Sequence, residues 1–183
     1  MARNNALLFW PVLLTVTAAD AVTKSLAQRL LPLPQLPHEL LGNTVRLTLV
    51  YNPGAAFGIN FGPNSRWIFM ALTILALVVL ARLYASTRRG NVPRTLALAL
   101  VCGGALGNLI DRFRSGMGVV DFIDVGLRNA RWPTFNVADM AVTVGAVLLA
   151  LVLWAEDREA AAGAAAAPAP MSEPTPHAAG EIS

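Results

Sequence analysis

Four long runs of uncharged, mostly apolar residues divide the chain: residues 4–19, 67–81, 95–110 and 140–155. Each run has 15 or 16 residues, whereas a helix needs about 20 residues to cross ~30 Å of hydrocarbon. Each helix must therefore take in polar residues at its ends, where a long side chain such as Arg82 can extend toward the headgroups. The pattern predicts four transmembrane helices, over about residues 6–24, 67–85, 95–112 and 135–155.

The first uncharged run also fits a cleaved signal peptide, because Arg3 precedes an apolar core and small residues follow at positions 17–19. Cleavage at that point would leave three spans and would separate Asp20 from its helix. We favour the alternative, in which all four runs form membrane-spanning helices.

A shorter segment between the first two spans has the alternation of a β-strand. Apolar residues recur at every second position over 45–51 and again over 57–61, and the sequence NPG lies between the two parts. Pro and Gly at such a position favour a tight turn. Residues 44–61 are therefore predicted to form a β-hairpin on the membrane surface.

The end of the chain is low in complexity. Residues 160–183 are mostly Ala and Pro, a composition that cannot bury enough apolar surface to order itself. The sequence therefore predicts one membrane-embedded domain, residues 1–159, followed by a disordered tail without a function. The predicted fold class is an all-α membrane protein with a small extracytoplasmic β-hairpin or sheet.

Four helices that alternate in direction bring their polar ends together. Helices one and three end on the face where helix four begins, and connections 25–66 and 113–134 lie over that face. Both termini and residues 86–93 fall on the opposite face, whose short connection is dense in arginine and is therefore predicted to be cytoplasmic. The first face collects seven polar residues: Asp20, Lys24, Asn108, Asp111, Arg112, Asn136 and Asp139.

The composition supports a membrane protein and excludes several kinds of site. The chain is 55% hydrophobic and 14% charged, against about 25% charged residues in a soluble domain. The net charge of +3 comes without a block of basic and aromatic residues, so nucleic-acid binding is not indicated. One cysteine and two histidines leave no internal disulfide and no Cys- or His-rich zinc site. We therefore expect neither a metal nor a cofactor.

Asn136 and Asp139 are the polar residues most difficult to explain as structural. They are three residues apart, so both lie on one side of helix four. A carboxylate at the edge of an apolar helix costs on the order of 2.5–3.5 kcal/mol, which indicates a function. Asp20 and Lys24, four apart on helix one, have the simpler explanation of a structural ion pair, and Asp111 that of a cap at the end of helix three.

The aspartates favour a protease without a metal. Neither histidine lies in the cluster, which excludes a serine–histidine pair, and a serine–lysine pair using Lys24 has only Ser65 or Ser115 as candidate partners. Two neighbouring carboxylates share one proton, so one can activate a water while the other polarises a carbonyl. The residues alone do not decide whether Asp121 or Asp124 is the partner of Asp139.

A small channel or proton carrier is the alternative that uses the same acidic cluster. A relay requires polar groups that continue through the bilayer. Helix four is apolar beyond Thr143 and helix two is apolar throughout. The pattern therefore favours an enzyme over an ion-conducting protein.

Five motifs carry a resemblance to a known family: DAVTK at 20–24, YNPGAAFG at 51–58, GGALGNLIDR at 103–112, VVDFID at 119–124 and FNVAD at 135–139. Over roughly residues 6–155, the chain resembles bacterial lipoprotein signal peptidase, the type II signal peptidase, which is an aspartyl intramembrane protease. Each motif by itself is weak evidence for the family. All five in this order, between four predicted spans, are specific evidence for it.

The resemblance implies roles for individual residues. It identifies Asp121 and Asp139 as catalytic and leaves Asp124 as a structural or loop residue. The supporting or substrate-binding residues that it implies are Asn52, Gly54, Asn108, Arg112 and Asn136. The structural residues that it implies are Asp20, Lys24 and Asp111, with Ala138 at a further supporting position.

The resemblance also implies the substrate and the location. The substrate is a prolipoprotein whose cysteine carries diacylglyceryl, and cleavage occurs on the N-terminal side of that cysteine. We expect the enzyme to work without a cofactor, as a monomer among membrane lipids. The resemblance implies that it lies in the bacterial inner membrane with both termini in the cytoplasm and the active site near the outer face.

Overall fold

The computed structural model describes residues 3–31, 33–54, 61–127 and 130–165. Within these residues there are four long helices: α1 (Arg3–Leu30), α2 (Ser65–Ala85), α3 (Val92–Arg114) and α4 (Val137–Ala165). Each is long and apolar enough to cross a membrane. The four predicted spans are confirmed as helices of this kind.

Two helices extend further than the hydrophobic pattern indicates. Helix α1 continues past residue 24 to Leu30, and α4 continues past residue 155 to Ala165. Residues 160–165, assigned by composition to the tail, are thus helical. Residues 160–165 are five alanines and one glycine, and Ala is the strongest helix former, so the segment propagates the helix. Residues 166–183, the rest of the predicted tail, lie outside the described residues.

Helix α3 packs against the other three helices, and its glycines permit close approach. A Cβ on Gly103 would lie 3.0 Å from the Leu13 carbonyl oxygen of α1, and one on Gly107 would lie 2.5 Å from Asp20 Oδ2. A Cβ on Gly104 would collide with the Ala138 carbonyl of α4. Small residues allow helix backbones to come together in this way.

Hydrogen bonds and an ion pair connect the helices at one end of the bundle. The Asn5 side chain donates to the Arg88 carbonyl (3.0 Å) and accepts from the Gly90 N–H (2.9 Å). Arg94 Nη1 of α3 lies 2.6 Å from Glu156 Oε2 of α4. These contacts tie the start of α1, the α2–α3 connection and the distal part of α4 together.

A four-stranded antiparallel sheet covers the other end. Its strands are β1 (His38–Leu41), β2 (Val45–Asn52), β3 (Val119–Leu127) and β4 (Ala130–Arg131), in the order β1-β2-β3-β4. Its apolar side packs on the end of α1, where Leu49, Val120 and Phe122 contact Ala27 and Leu31.

The small sheet is confirmed, and β2 has partners in it that the sequence did not predict. Strand β2 pairs with β1 on one edge and with β3 on the other. Residues 55–60 of the predicted second strand lie outside the described residues, and Phe61 directly precedes a short 3-10 turn. Alternation identifies residues that can form a strand, but the choice of partner depends on which edges the fold brings together.

The pairing of β2 with β3 contains a one-residue bulge. Val45 to Leu47 pair with Val125 to Ile123, and Val50 to Asn52 pair with Asp121 to Val119. Thr48 and Leu49 together therefore stand opposite Phe122 alone. An extra residue of this kind exchanges the faces of the strand beyond it.

Candidate active site

The polar residues predicted to share one face meet where α1 and α3 end and α4 begins. Asn136 precedes α4 and caps it: its Oδ1 accepts from the Asp139 N–H (2.9 Å), and Asp139 Oδ2 accepts from the Asn136 N–H (3.1 Å). This is the reciprocal arrangement of a capping box. The local sequence FNVAD therefore determines the position of the Asp139 carboxylate.

The connection between β3 and α4 brings Asp121 to the same place. Phe135 pairs with Ile123 as a short continuation of the sheet, with N–H to carbonyl distances of 3.0 and 2.8 Å. Asn136 then donates from Nδ2 to Asp121 Oδ1 (2.7 Å). One residue thus contacts both candidate catalytic aspartates, and the connection folds back over the bundle as such a pair requires.

Asp121 is buried among amides rather than cations. It is 3% exposed and also accepts from Asn52 Nδ2 (3.1 Å). Burial, reinforced by the charge of Asp139, raises the pKa of Asp121 to about 7, although hydrogen bonds from Asn52 and Asn136 and the charge of Lys24 act to lower it. A carboxyl in this environment holds its proton up to nearly neutral pH.

Asp139 is held by amide groups on both oxygens. Besides the Asn136 N–H on Oδ2, Asn108 Nδ2 donates to Oδ1 (2.8 Å). Asn108 is itself oriented by Lys24, whose Nζ donates to Asn108 Oδ1 (2.9 Å). Because an ammonium group can only donate, Lys24 directs the amide N–H of Asn108 toward Asp139.

Lys24 lies at the centre of a buried ionic cluster. Its Nζ is 2.7 Å from Asp20 Oδ2 and 2.8 Å from Asp111 Oδ2. Asp20 Oδ1 accepts from the Ala138 N–H (2.9 Å), and Asp111 accepts from the Val120 N–H (3.2 Å). The predicted Asp20–Lys24 ion pair is therefore present, and the cluster connects α1, α3, α4 and β3.

Arg112 anchors the segment that follows β2. Its Nη2 donates to the Gly54 carbonyl (3.0 Å), and the Gly54 N–H donates to Asn52 Oδ1 (3.0 Å). The second contact leaves the Nδ2 of Asn52 directed toward Asp121. Gly54 thus contributes backbone groups rather than a side chain.

Both candidate catalytic aspartates line one open cavity of about 630 Å³. Its polar wall consists of Asn52, Asn108, Arg112, Asp121 and Asp139. Its remaining wall is mostly apolar and is formed by Val119, by residues 132–135 and by Met140, Val142, Thr143 and Val144 of α4. Among the described residues, no group of three or more His, Cys, Asp or Glu side chains is arranged to hold a metal ion.

Sequence reasoning did not identify residues 132–135 as part of the site. Trp132 has the features of an interfacial anchor, and the segment has no charged residue after Arg131. The available signal is that the segment leads into FNVAD, whose first residue is Phe135, with Pro133 preventing a regular helix. The structure places this segment against the cavity.

The structure separates Asp124 from the cavity. Asp124 lies on β3 and accepts from Arg46 Nε (2.9 Å), Arg131 Nε (2.7 Å) and Thr48 Oγ1 (3.0 Å). Burial acts to raise the pKa of Asp124, but these hydrogen bonds outweigh burial and lower the pKa below its ordinary value. Asp121, and not Asp124, therefore shares the cavity with Asp139.

Comparison with known proteins identifies the family of this chain. A family profile described as "Signal peptidase (SPase) II" matches residues 12–155. The "Lipoprotein signal peptidase" of Paraburkholderia phytofirmans is 44% identical, over 82% of this chain and 87% of that protein. The protein of the same name from Halothermothrix orenii is 40% identical, over 80% of this chain and 95% of that protein.

Solved structures show the same fold. One described as "Bacterial membrane enzyme structure by the in meso method at 2.3 A resolution" has a TM-score of 0.73 at 31% identity, over 82% of this chain and 89% of that chain. A second, at 1.9 Å, has a TM-score of 0.70 at 32% identity, over 80% and 92% of the two chains. The chain therefore belongs to the signal peptidase II family and is a multi-pass bacterial membrane peptidase.

Proposed function

We propose that this protein is an aspartyl endopeptidase that removes signal peptides from diacylglyceryl-modified prolipoproteins, with cleavage on the N-terminal side of the lipidated cysteine. The observation that carries the proposal is the presence of Asp121 and Asp139 in one cavity, both contacted by Asn136. The relatives' name, lipoprotein signal peptidase, supports the substrate class.

The two aspartates take different roles in the proposed reaction. Asp139, whose two oxygens accept from the N–H groups of Asn108 and Asn136, removes a proton from water as the water attacks the scissile carbonyl carbon. Asp121, which holds its proton to about pH 7, gives that proton to the carbonyl oxygen. The tetrahedral diol then collapses: Asp139 protonates the leaving nitrogen, and Asp121 recovers a proton from the diol.

The serine–lysine alternative is disfavoured by the contacts of Lys24. Ser25 and Ser115 line a second, smaller cavity of about 230 Å³ beside Lys24. The Lys24 Nζ, however, is shared among Asp20, Asp111 and Asn108. An ammonium group that donates to two carboxylates and an amide has no lone pair with which to activate a serine.

The shape of the cavity supports a lipid-anchored substrate. Met140 and Val144, which line it, are exposed on α4, so the cavity opens toward the region that the bilayer occupies. The substrate's acyl chains would remain in the bilayer and bring the scissile bond to the depth of Asp139, which converts a loose encounter into an oriented one. All of the site residues come from one chain, so a monomer among membrane lipids is sufficient.

The proposed orientation places both termini and residues 86–93 in the cytoplasm of a bacterium and the active site near the outer face of the inner membrane. The arginines at 82, 88, 89 and 94 support it through the positive-inside rule. A cysteine at position 90, in a chain with Cys102 replaced by Ser, should be labelled only after the membrane is made permeable. Labelling from the outside of intact cells would contradict the orientation.

Cleavage of a lipidated precursor by the purified protein tests the proposed activity. The mass of the product should show a lipidated cysteine as its first residue. The unlipidated precursor should be cleaved poorly, and chelators should not reduce the rate. Equal turnover of the two precursors would exclude the lipid-dependent substrate, and cleavage at another bond would exclude the proposed position.

A further inference from the structure

One charged cluster among the described residues has no role in the proposed reaction. Asp124 is 5% exposed and ion-paired to Arg46 of β2 (2.7 Å) and to Arg131 of β4 (2.6 Å). Thr48, also buried, donates to Asp124 Oδ2 (3.0 Å). A single carboxylate thus joins three strands of the sheet.

This cluster adjoins the bulge in β2. Arg46 pairs directly with Asp124, and Thr48 is one of the two residues that stand opposite Phe122. Bulges are common beside active sites, where they redirect a side chain. The hydrogen bond from Thr48 to Asp124 holds the first residue of the bulge in place.

The bulge decides which face of β2 carries Asn52. In the observed register Asn52 pairs with Val119, so it lies on the same face as Asp121, two residues further along β3. Extending the pairing of Arg46 with Asp124 without the bulge would place Asn52 opposite Gly118 and on the other face. The hydrogen bond from Asn52 to Asp121 would then be lost.

A contact at the far end of the strand supports the observed register. Gly118 has a φ of +100°, and a Cβ at this position would collide with the Asn52 carbonyl. The backbone therefore approaches closely at this point, which a larger residue would prevent. The register of β2 is thus held on one side of the bulge by Asp124 and on the other by this approach.

We propose that Asp124, through Arg46, Arg131 and Thr48, is a positioning residue that maintains the bulge of β2 and thereby directs Asn52 onto Asp121. This inference rests on the proposed function, since it assigns the cluster a part in preparing Asp121 for proton transfer. Asp124 itself touches neither the cavity nor the other aspartates.

The proposal predicts a change in the pH profile as well as in the rate. The groups that face Asp121 are Asn52 of β2, Asn136 and Asp139 at the start of α4, and the charges of Lys24 and Arg112 from α1 and α3. The Asn52 hydrogen bond favours the carboxylate, so its loss raises the pKa of Asp121. The alkaline limb of the profile should therefore move to higher pH while kcat falls and KM changes little.

Thr48 offers a matched pair of variants. Thr48→Val keeps the shape and removes the hydroxyl, whereas Thr48→Ser keeps the hydroxyl. We expect kcat to fall about threefold in Thr48→Val and about tenfold in Asp124→Asn, with normal values in Thr48→Ser. If Asp124→Asn does not fold, the Thr48 pair decides alone. Equal kcat and equal pH limbs in Thr48→Val and Thr48→Ser would overturn the proposal.

A double-mutant cycle shows whether Asp124 acts through Asn52. In an Asn52→Ala background, Asp124→Asn should reduce kcat little further and should not move the pH limb, because coupled residues are not additive. Glu156→Gln is the matched control, since it breaks an ion pair at the opposite end of the bundle and should leave both readouts unchanged. Full additivity of Asn52→Ala and Asp124→Asn would contradict the mechanism.

The register between β2 and β3 can also be measured without an activity assay. Cysteines at Tyr51 and Val120, a directly paired position, should form a disulfide readily in a chain with Cys102→Ser, because paired Cα atoms lie within disulfide range. Asp124→Asn should slow its formation and Thr48→Ser should not. Unchanged formation in Asp124→Asn overturns the positioning role, whereas an active Asp139→Asn enzyme would instead overturn the proposed function.

Discussion

Two carboxylates three residues apart on one strand have opposite surroundings. Asp121 and Asp124 are 3% and 5% exposed, so burial acts on both in the same direction. Asp121 has amide partners and a nearby aspartate, and its pKa rises to about 7; Asp124 has two guanidinium partners, and its pKa falls. The partners, and not burial alone, determine whether a buried acid keeps its proton.

The largest expected difference between the two carboxylates is in catalysis. Asp121→Asn and Asp139→Asn should each reduce cleavage of a lipidated precursor by about 10³-fold or more, because each removes a proton-transfer group. Asp124→Asn should retain about a tenth of the normal rate. Rates from purified variants, compared at equal thermal stability, test this order. Substantial turnover by folded Asp139→Asn would remove the aspartyl mechanism.

The second difference is in the pH dependence of stability. A carboxyl whose pKa is raised on folding stabilises the fold fully below its unfolded value, and the stabilisation is lost as the pH rises toward the folded value. Because of Asp121, the free energy of unfolding should fall by roughly 2–3 kcal/mol as the pH rises from 5 to 8. Thermal or denaturant unfolding in detergent should show this decrease, and Asp121→Asn should flatten it.

Asp124 should behave in the opposite way. Its pKa is lowered on folding, so its stabilisation is present above the unfolded value and is lost only as the pH falls through the lower folded value. Asp124→Asn should reduce stability by about 1.5–3 kcal/mol, equally at pH 5 and pH 8. A pH-dependent loss in this range would show that Asp124 does not keep its guanidinium partners.

A cation placed beside Asp121 should reduce the difference in pKa between Asp121 and Asp124. Asn52→Lys gives Asp121 the kind of partner that Asp124 has, and it should move the alkaline limb of activity to lower pH. Asn52→Met, of similar length and without charge, should move the limb to higher pH. The pH dependence of kcat in the two variants measures this, and shifts in the same direction would contradict the electrostatic explanation.

The smallest effect is expected at a third carboxylate. Glu156 is ion-paired to Arg94 and remains partly exposed, at 34% of its side chain. Exposed pairs contribute about 0–1 kcal/mol, so Glu156→Gln should change stability by less than about 1 kcal/mol and leave cleavage unchanged. A large loss of activity in this variant would indicate that the two ends of the bundle are coupled.

The sequence predicts the helices better than the strand pairing, because a helix depends on consecutive residues whereas a strand's partner can lie far away in the chain. Sixteen consecutive uncharged residues at 140–155 determine a membrane helix locally. The alternation over 45–51 indicates a strand but not its partners, which are β1 and β3 in the structure. Strand pairing depends on contacts between residues that are far apart in the chain.

Local sequence also determines part of the site. The order of Asn136 and Asp139 is sufficient for a capping box at the start of α4, and the spacing of Asp20 and Lys24 is sufficient for an ion pair within α1. The additional contacts of Lys24 with Asp111 and Asn108 join two helices. No local pattern predicts them.

The sequence by itself thus determined four membrane helices, the polar composition of one end of the bundle and, through ordered motifs, the family. The tertiary structure alone decided that β2 lies between β1 and β3, that residues 132–135 line the cavity, and that a bulge directs Asn52 toward Asp121. It also separated Asp121 from Asp124, which the residues alone did not distinguish. The physical reason is that hydrophobic periodicity acts over a few residues, whereas a carboxylate's partners come from whichever strands and helices pack around it.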